Sequence, residues 1–252
     1  MIAALRGARA AVVFLTRVPV PAFDYRDDDG RWAAAWFPAV GLGIGAVLAA
    51  IPWVGEGRFS AEVLAWAVVL ASLLLTGAFH EDGLADSADG LGGGYTPERV
   101  LEILKDSRIG AFGAVALVSV VGLRVALLAS LGPRMALALV LGQALSRLPP
   151  VVMMGALPYA TPTGSSKSRD VARAGSVPIA LAGVTGLVVV AVAVATSAIS
   201  GGEAAAIGLG LFGLTGVLGW RFHARVGGIT GDFLGATQQL CELVVLGVLA
   251  AR

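Results

Sequence analysis

Three aspartates fall within eight residues of one another at Asp82, Asp86 and Asp89, in the stretch FHEDGLADSADGLGGG (79–94), with His80 and Glu81 just ahead of them. At the 100° turn per residue of a helix, the three would point into one sector about 60° wide. Carboxylates gathered on one face repel unless a cation sits among them. An all-oxygen donor set suits a hard divalent ion, Mg²⁺ or Mn²⁺, whereas zinc favours His and Cys. Glu81 adds a ligand from the flank, giving a candidate metal set of Glu81, Asp82, Asp86 and Asp89. His80 falls on the far side of such a helix and reads as a substrate contact. The glycines that follow, Gly90 and Gly92 to Gly94, permit close backbone approach to a ligand.

A second polar stretch, LKDSRIGAFG (104–113), supplies Lys105, Asp106, Ser107 and Arg108. A guanidinium fork and an ammonium beside a carboxylate–metal site are what phosphate oxygens require. The same two cations would also serve as anchors flanking a membrane helix. TPTGSSKSRD (161–170) lacks the ending and preceding strand of a nucleotide-binding P-loop, so that reading fails. It stays a small basic loop with hydroxyls, suited to a second phosphate. In RVGGITGDFLGA (225–236), Asp232 stands where a helix cap or a substrate contact would stand. Arg124, Arg147 and Glu242 lie within apolar runs, where an unpaired ion costs at least a few kcal/mol. Pairing Glu242 with an arginine is the structural expectation, and Arg147, four residues after Gln143, is the better substrate candidate. Arg17 is a further candidate contact.

These residues must be positioned by membrane helices. Of the 252 residues, 57% are hydrophobic and 14% charged, against roughly a quarter charged in soluble domains. Uncharged runs such as Ala33–Gly55 and Ala174–Gly202 reach the roughly 20 residues that cross a bilayer core. We expect an all-α polytopic membrane bundle forming one domain over 1–252. Its seven spans lie near 33–54, 62–79, 110–130, 135–156, 177–199, 204–220 and 233–251, behind an N-terminal amphipathic or partly embedded helix. The N-terminus has no clear cleavage site, so it reads as retained. The near-neutral charge of +1 excludes an electrostatic case for nucleic acid. Cys241, the only cysteine, reads as an inert core thiol.

Loop charge sets the expected sidedness. With the N-terminus inside, thirteen basic residues face the cytoplasm: Arg6, Arg9, Arg17, Arg26, Arg31, Arg99, Lys105, Arg108, Lys167, Arg169, Arg173, Arg221 and Arg225. Three, Arg58, Arg134 and Arg252, lie outside. The positive-inside rule therefore favours N-in, C-out and puts the longer polar segments, 80–109, 157–176 and 221–232, at the cytoplasmic surface. A rival reading is a transporter or ion-conducting protein with an acidic cation site, since membrane acids often mark ion paths. The acids cluster at one surface, however, and no inverted repeat is visible.

FHEDGLADSADG followed by LKDSRIGAFG resembles the signature of the cobalamin synthases, the adenosylcobinamide-GDP ribazoletransferases. FLTRVPVP (14–21), WFPAVGLGIGA (36–46) and GGITGDFLGA (227–236) are similar to that family too, so the resemblance spans nearly the whole chain. It implies a Mg²⁺-dependent transferase of the bacterial inner membrane. Its substrates would be adenosylcobinamide-GDP and α-ribazole or α-ribazole 5′-phosphate, its products cobalamin or cobalamin 5′-phosphate and GMP. Contact with membrane lipid and association with other enzymes of the same pathway would follow. On that reading Asp82, Asp86 and Asp89 hold metal, and one of them or Asp106 accepts the hydroxyl proton. His80, Lys105, Ser107, Arg108, Arg17, Arg147 and Asp232 would contact substrate.

Overall fold

The computed structural model describes residues 2–160 and 174–251. Among them the chain is helical apart from its connections. The first four helices are α1 (Ile2–Leu15), α2 (Asp27–Gly55), α3 (Ala61–Thr76) and α4 (Phe79–Gly93). Next come α5 (Pro97–Ile103), α6 (Ala111–Ser130), α7 (Met135–Leu145) and α8 (Leu148–Ala156). The last three are α9 (Ser176–Ala195), α10 (Gly201–Val226) and α11 (Gly231–Ala250). Six segments are long and apolar enough to cross a membrane, namely α2, α6, the continuous stretch Gly132–Ala156, α9, α10 and α11. Counting α3 with α4 makes seven, but that pair bends by 91° at its joint. The chain is a multi-pass membrane protein of the expected class.

Two expected spans differ in form. The second, near 62–79, is α3 alone, after which the chain turns sharply into α4. Gly77 and Ala78 both adopt the left-handed conformation, with φ of 69° and 55°. Two such residues in succession end the helical ladder of α3 and redirect the chain. The fourth span divides into α7 and α8 at Ser146–Arg147, just ahead of Pro149 and Pro150, which cannot continue the backbone ladder.

In a hydrocarbon solvent apolar faces gain nothing by meeting one another, so close backbone packing carries helix association. Gly41 and Gly45, one turn apart on α2, meet the α7 backbone. A Cβ at Gly45 would stand 2.6 Å from Leu139 O and Val140 Cα. Helix α1 is fixed along α2 by polar bonds: Trp36 Nε1 donates to Ala4 O at 2.7 Å, and Arg6 pairs with Asp29 at 2.8 Å. Helix α11 runs through the middle against α4, α6, α7, α8 and α10. Cys241 on it is fully buried.

Several of the connections meet at one end. Ala160 N donates to Ile229 O and Ile229 N to Pro158 O, both at 2.8 Å, so the segment after α8 clamps the segment before α11. Arg225, at the end of α10, donates to Gly94 O at the end of α4. The loop TPTGSSKSRD lies outside the described residues.

Candidate active site

Helix α4 and the start of α11 cross at a pair of glycines. A Cβ on Gly83 would lie 2.8 Å from Asp232 O, and one on Gly235 would lie 3.3 Å from His80 O. Only at that spacing do the aspartates of α4 come beside Asp232. The expected cap role of Asp232 falls instead to Thr230, whose Oγ1 accepts from Phe233 N at 3.3 Å. Gly231 N donates to the Tyr159 hydroxyl at 3.2 Å, which steadies the same turn. The carboxylate of Asp232 accepts from Thr230 Oγ1 at 3.4 Å and lies within electrostatic reach of Asp82 and Asp86.

Asp82 is exposed, while Asp86 and Asp232 are half-buried. Asp86 lies within the electrostatic reach of Asp82, Asp89 and Asp232. Among the described residues no Lys or Arg pairs with Asp82, Asp86 or Asp232. The three form an open acidic mouth at the polar end of the bundle. They do not form a closed cage, since no group of three His, Cys, Asp or Glu side chains among the described residues converges on a single ion position. Mg²⁺ does not require one, because it keeps several waters and is commonly held by one or two carboxylates with substrate phosphates. An unpaired, all-oxygen, partly open mouth fits that ion.

Asp89 shares the face as expected, but both its oxygens are engaged. Oδ2 accepts from Gly110 N at 2.7 Å and Oδ1 from Gly113 N at 2.9 Å. It therefore caps the N-terminus of α6 from a neighbouring helix, satisfying amides that helix geometry leaves unpaired. A Cβ at Gly110 or Gly113 would collide with this carboxylate, which explains the glycines of IGAFG. The carboxylate expected as a third metal ligand is a positioning group in the structure.

The family model described as cobalamin-5-phosphate synthase (CobS) matches residues 7–250. The chain belongs to the cobalamin-5-phosphate synthase family. Curated relatives named adenosylcobinamide-GDP ribazoletransferase include one from Ralstonia pickettii, 44% identical over 95% of this chain and 93% of the relative. Another, from Leptothrix cholodnii, is 40% identical over the same shares. One from Shewanella piezotolerans is 39% identical over 93% and 90%. No solved structure matches.

In this member of the cobalamin-5-phosphate synthase family, Glu81 is turned away from the mouth into a buried ionic network. Arg124 pairs with Glu242 at 2.9 Å and with Glu81 at 3.4 Å, and also donates to Ser72 Oγ at 3.1 Å. Gln239 Nε2 donates to Glu81 Oε1 at 3.1 Å. Gln143 and Gln238 donate to Glu242 at 2.8 and 3.1 Å. Arg147 Nη1 donates to the Gln143 backbone and side-chain oxygens at 2.6 and 2.8 Å. The metal-ligand expectation for Glu81 is thus replaced by a pairing role. The ion-path reading of Arg124 and Glu242 loses its basis, since the two ions satisfy each other.

The basic loop stands apart. Arg108 is exposed and holds Asp106 in a fork, with Nη2 to Oδ2 at 2.6 Å and Nε to Oδ1 at 3.0 Å. This guanidinium, with the Arg108 backbone N–H, lowers the Asp106 carboxyl to about 2. A carboxylate so stabilised is a weak base, which argues against Asp106 as the proton acceptor. Lys105 and Ser107 are exposed beside it. Arg17 lies against Gly77 at the α3–α4 bend, and its backbone N–H donates to Leu75 O at 2.7 Å. His80 and Arg147 are buried on the far side of α4 from Asp82. The glycine pair that joins Asp232 to the α4 acids is what sequence reasoning passed over. Its signal was present, a glycine one residue after Asp82 and another three after Asp232.

Proposed function

We infer that the protein is an adenosylcobinamide-GDP ribazoletransferase, the enzyme of the final nucleotide-loop assembly step in cobalamin synthesis. The observation that carries the mechanism is the meeting of Asp82, Asp86 and Asp232 without a compensating cation among the described residues, beside the connections that join the ends of α4, α8 and α10 to the start of α11. A ribose hydroxyl of ribazole, or of its phosphate, attacks the phosphorus nearest cobinamide in the pyrophosphate. The new O–P bond forms as the bond to the bridging oxygen breaks, and GMP departs with that oxygen. A carboxylate of the mouth takes the hydroxyl proton. Asp82 and Asp86, with Asp232, would hold Mg²⁺, which supplies charge neutralisation on the pyrophosphate and on the departing phosphate. Lys105, exposed on the neighbouring loop, offers a point charge to phosphate oxygens, and Arg108 would do so in exchange for its fork with Asp106. Asp89 keeps α4 in register with α6, and the Glu81–Arg124 pair fixes the rotation of α4 that turns Asp82 outward.

The asymmetry of loop charge supports a cytoplasmic mouth in the bacterial inner membrane, on the side where nucleotide substrates are made. The deciding experiment is GMP release from adenosylcobinamide-GDP by detergent-purified protein with α-ribazole and Mg²⁺. We expect release that depends on both additions; a transporter would give none.

A further inference from the structure

Asp232 is the second residue of α11, and the way the first amides of that helix are satisfied decides where its carboxylate goes. A helix N-terminus leaves its first N–H groups without intrahelical partners, and its dipole attracts anions. An aspartate in the first turn is therefore drawn back onto its own helix end.

Neutral hydroxyls take two of those amides instead. Thr230 Oγ1 accepts from Phe233 N at 3.3 Å and donates its proton to Asp232 Oδ2 at 3.4 Å. The threonine is thus engaged both as acceptor and as donor. The amide of Gly231 goes to the Tyr159 hydroxyl, which accepts from it at 3.2 Å.

Tyr159 reaches this turn from 72 residues earlier in the chain, and its own backbone is fixed there. It forms a parallel bridge with Ile229, through Ala160 N to Ile229 O and Ile229 N to Pro158 O, both at 2.8 Å. A Cβ at Gly228 would collide with Pro158 O, so this approach needs glycine. Tyr159 also packs against the apolar cluster that contains Ile229 and Phe233. Phe233 in turn stacks face to face on Phe222 of α10, with centroids 4.1 Å apart. The hydroxyl is held at a defined place against the first turn of α11.

We propose that Tyr159 is a positioning residue of the acidic mouth: its hydroxyl satisfies the Gly231 amide, so that the Asp232 carboxylate stays beside Asp82 and Asp86 and shares in holding the divalent ion. The proposal rests on the reading of the mouth as a Mg²⁺ site and deepens it. Tyr159 acts through Asp232 rather than on the ion or the substrate itself. Phenylalanine at this position keeps the ring and the backbone bridge and takes away only the acceptor. The Gly231 amide is then short of a partner at the positive end of the helix, and the carboxylate of the same turn moves toward it and away from the mouth.

The test is Mn²⁺ binding by the detergent-purified full-length chain, read without turnover from the electron paramagnetic resonance signal of the free ion. Mn²⁺ stands in for Mg²⁺ because both suit carboxylate and water ligands. Asp232→Asn should weaken Mn²⁺ binding roughly tenfold, and Tyr159→Phe roughly threefold to tenfold. The two should not add. Introducing Tyr159→Phe into Asp232→Asn should change binding by less than about twofold, since the carboxylate through which Tyr159 acts is already gone. In turnover, Tyr159→Phe should raise the Mg²⁺ concentration for half-maximal GMP release by a similar factor and recover at saturating Mg²⁺, which a damaged fold would not do. The proposal is overturned if Tyr159→Phe binds Mn²⁺ as the wild type does while Asp232→Asn binds it weakly. It is equally overturned if Tyr159→Phe weakens binding by the same factor in both backgrounds, the mark of a general structural role. If Asp232→Asn itself binds Mn²⁺ as the wild type does, Asp232 is no part of the metal mouth and the proposal falls with that reading. A wild type that shows the predicted binding pattern yet releases no GMP would refute the transferase reading and leave the role of Tyr159 standing.

Discussion

Glu81 and Asp82 are neighbours in the chain, about 100° apart on α4, yet they occupy opposite electrostatic surroundings. Glu81 is buried and meets Arg124 and Gln239. Asp82 is exposed and meets other carboxylates, with no cation among the described residues to offset it. The inner network is a set of charges made to satisfy one another, so its removal should first be felt in folding. The outer mouth is a set of charges that the protein alone leaves unsatisfied, so its removal should be felt first in chemistry. Where charge is matched the chain builds structure, and where it is left unmatched the chain leaves room for a ligand.

That contrast can be broken in order of expected effect. Asp82→Asn and Asp86→Asn should each lower GMP release by roughly 10²–10³-fold or more, since several kcal/mol of charge stabilisation would be lost. Their melting temperatures in detergent should be little changed. Glu242→Gln should do the reverse, destabilising the fold by about 3–5 kcal/mol because Arg124 is left buried without its closest carboxylate. A thermal-shift assay reads this directly, and unchanged stability would mean that the pair is not the structural element claimed. Asp89→Asn should fall between, costing about 0.5–2 kcal/mol as a lost helix cap with a modest drop in turnover. If its turnover fell as far as that of Asp82→Asn, Asp89 would be a ligand and the contrast would need redrawing. The smallest effect belongs to Asp106→Asn, an exposed pair partner, where turnover should change by less than about twofold. Because Arg108 holds that carboxyl at about 2, its charge stays constant above pH 4 and adds nothing to a neutral-range pH profile.

Much of this was legible in the sequence. Long apolar runs pointed to the spans, and the phase of Asp82, Asp86 and Asp89 pointed to an acidic face, which the helical α4 carries. Glu242 paired with an arginine as its burial in an apolar run required. What sequence spacing could not supply were partners at long range. Asp89 binds amides 21 and 24 residues away, and Glu81 binds Arg124 43 residues away. Nothing in the local pattern distinguishes those acids from Asp82. The bend between α3 and α4 was hidden for a different reason. Gly77 announces a left-handed turn, but Ala78 follows in the same conformation, which alanine does not favour on its own. Surrounding packing decides that residue. Similarly, little in the local pattern tells Gly83 and Gly235 from the other glycines, and the crossing is what shows that they admit backbone contact.

The central claim is that the unpaired carboxylates of the mouth, beginning with Asp82, hold the divalent ion for phosphoryl transfer. The direct measurement is GMP release by purified wild type and Asp82→Asn, stripped with chelator and titrated with Mg²⁺. The account predicts no release after stripping, recovery of the wild type with added Mg²⁺, and no recovery of Asp82→Asn although it melts at the same temperature. Full turnover in excess chelator, or wild-type turnover by Asp82→Asn, would contradict it.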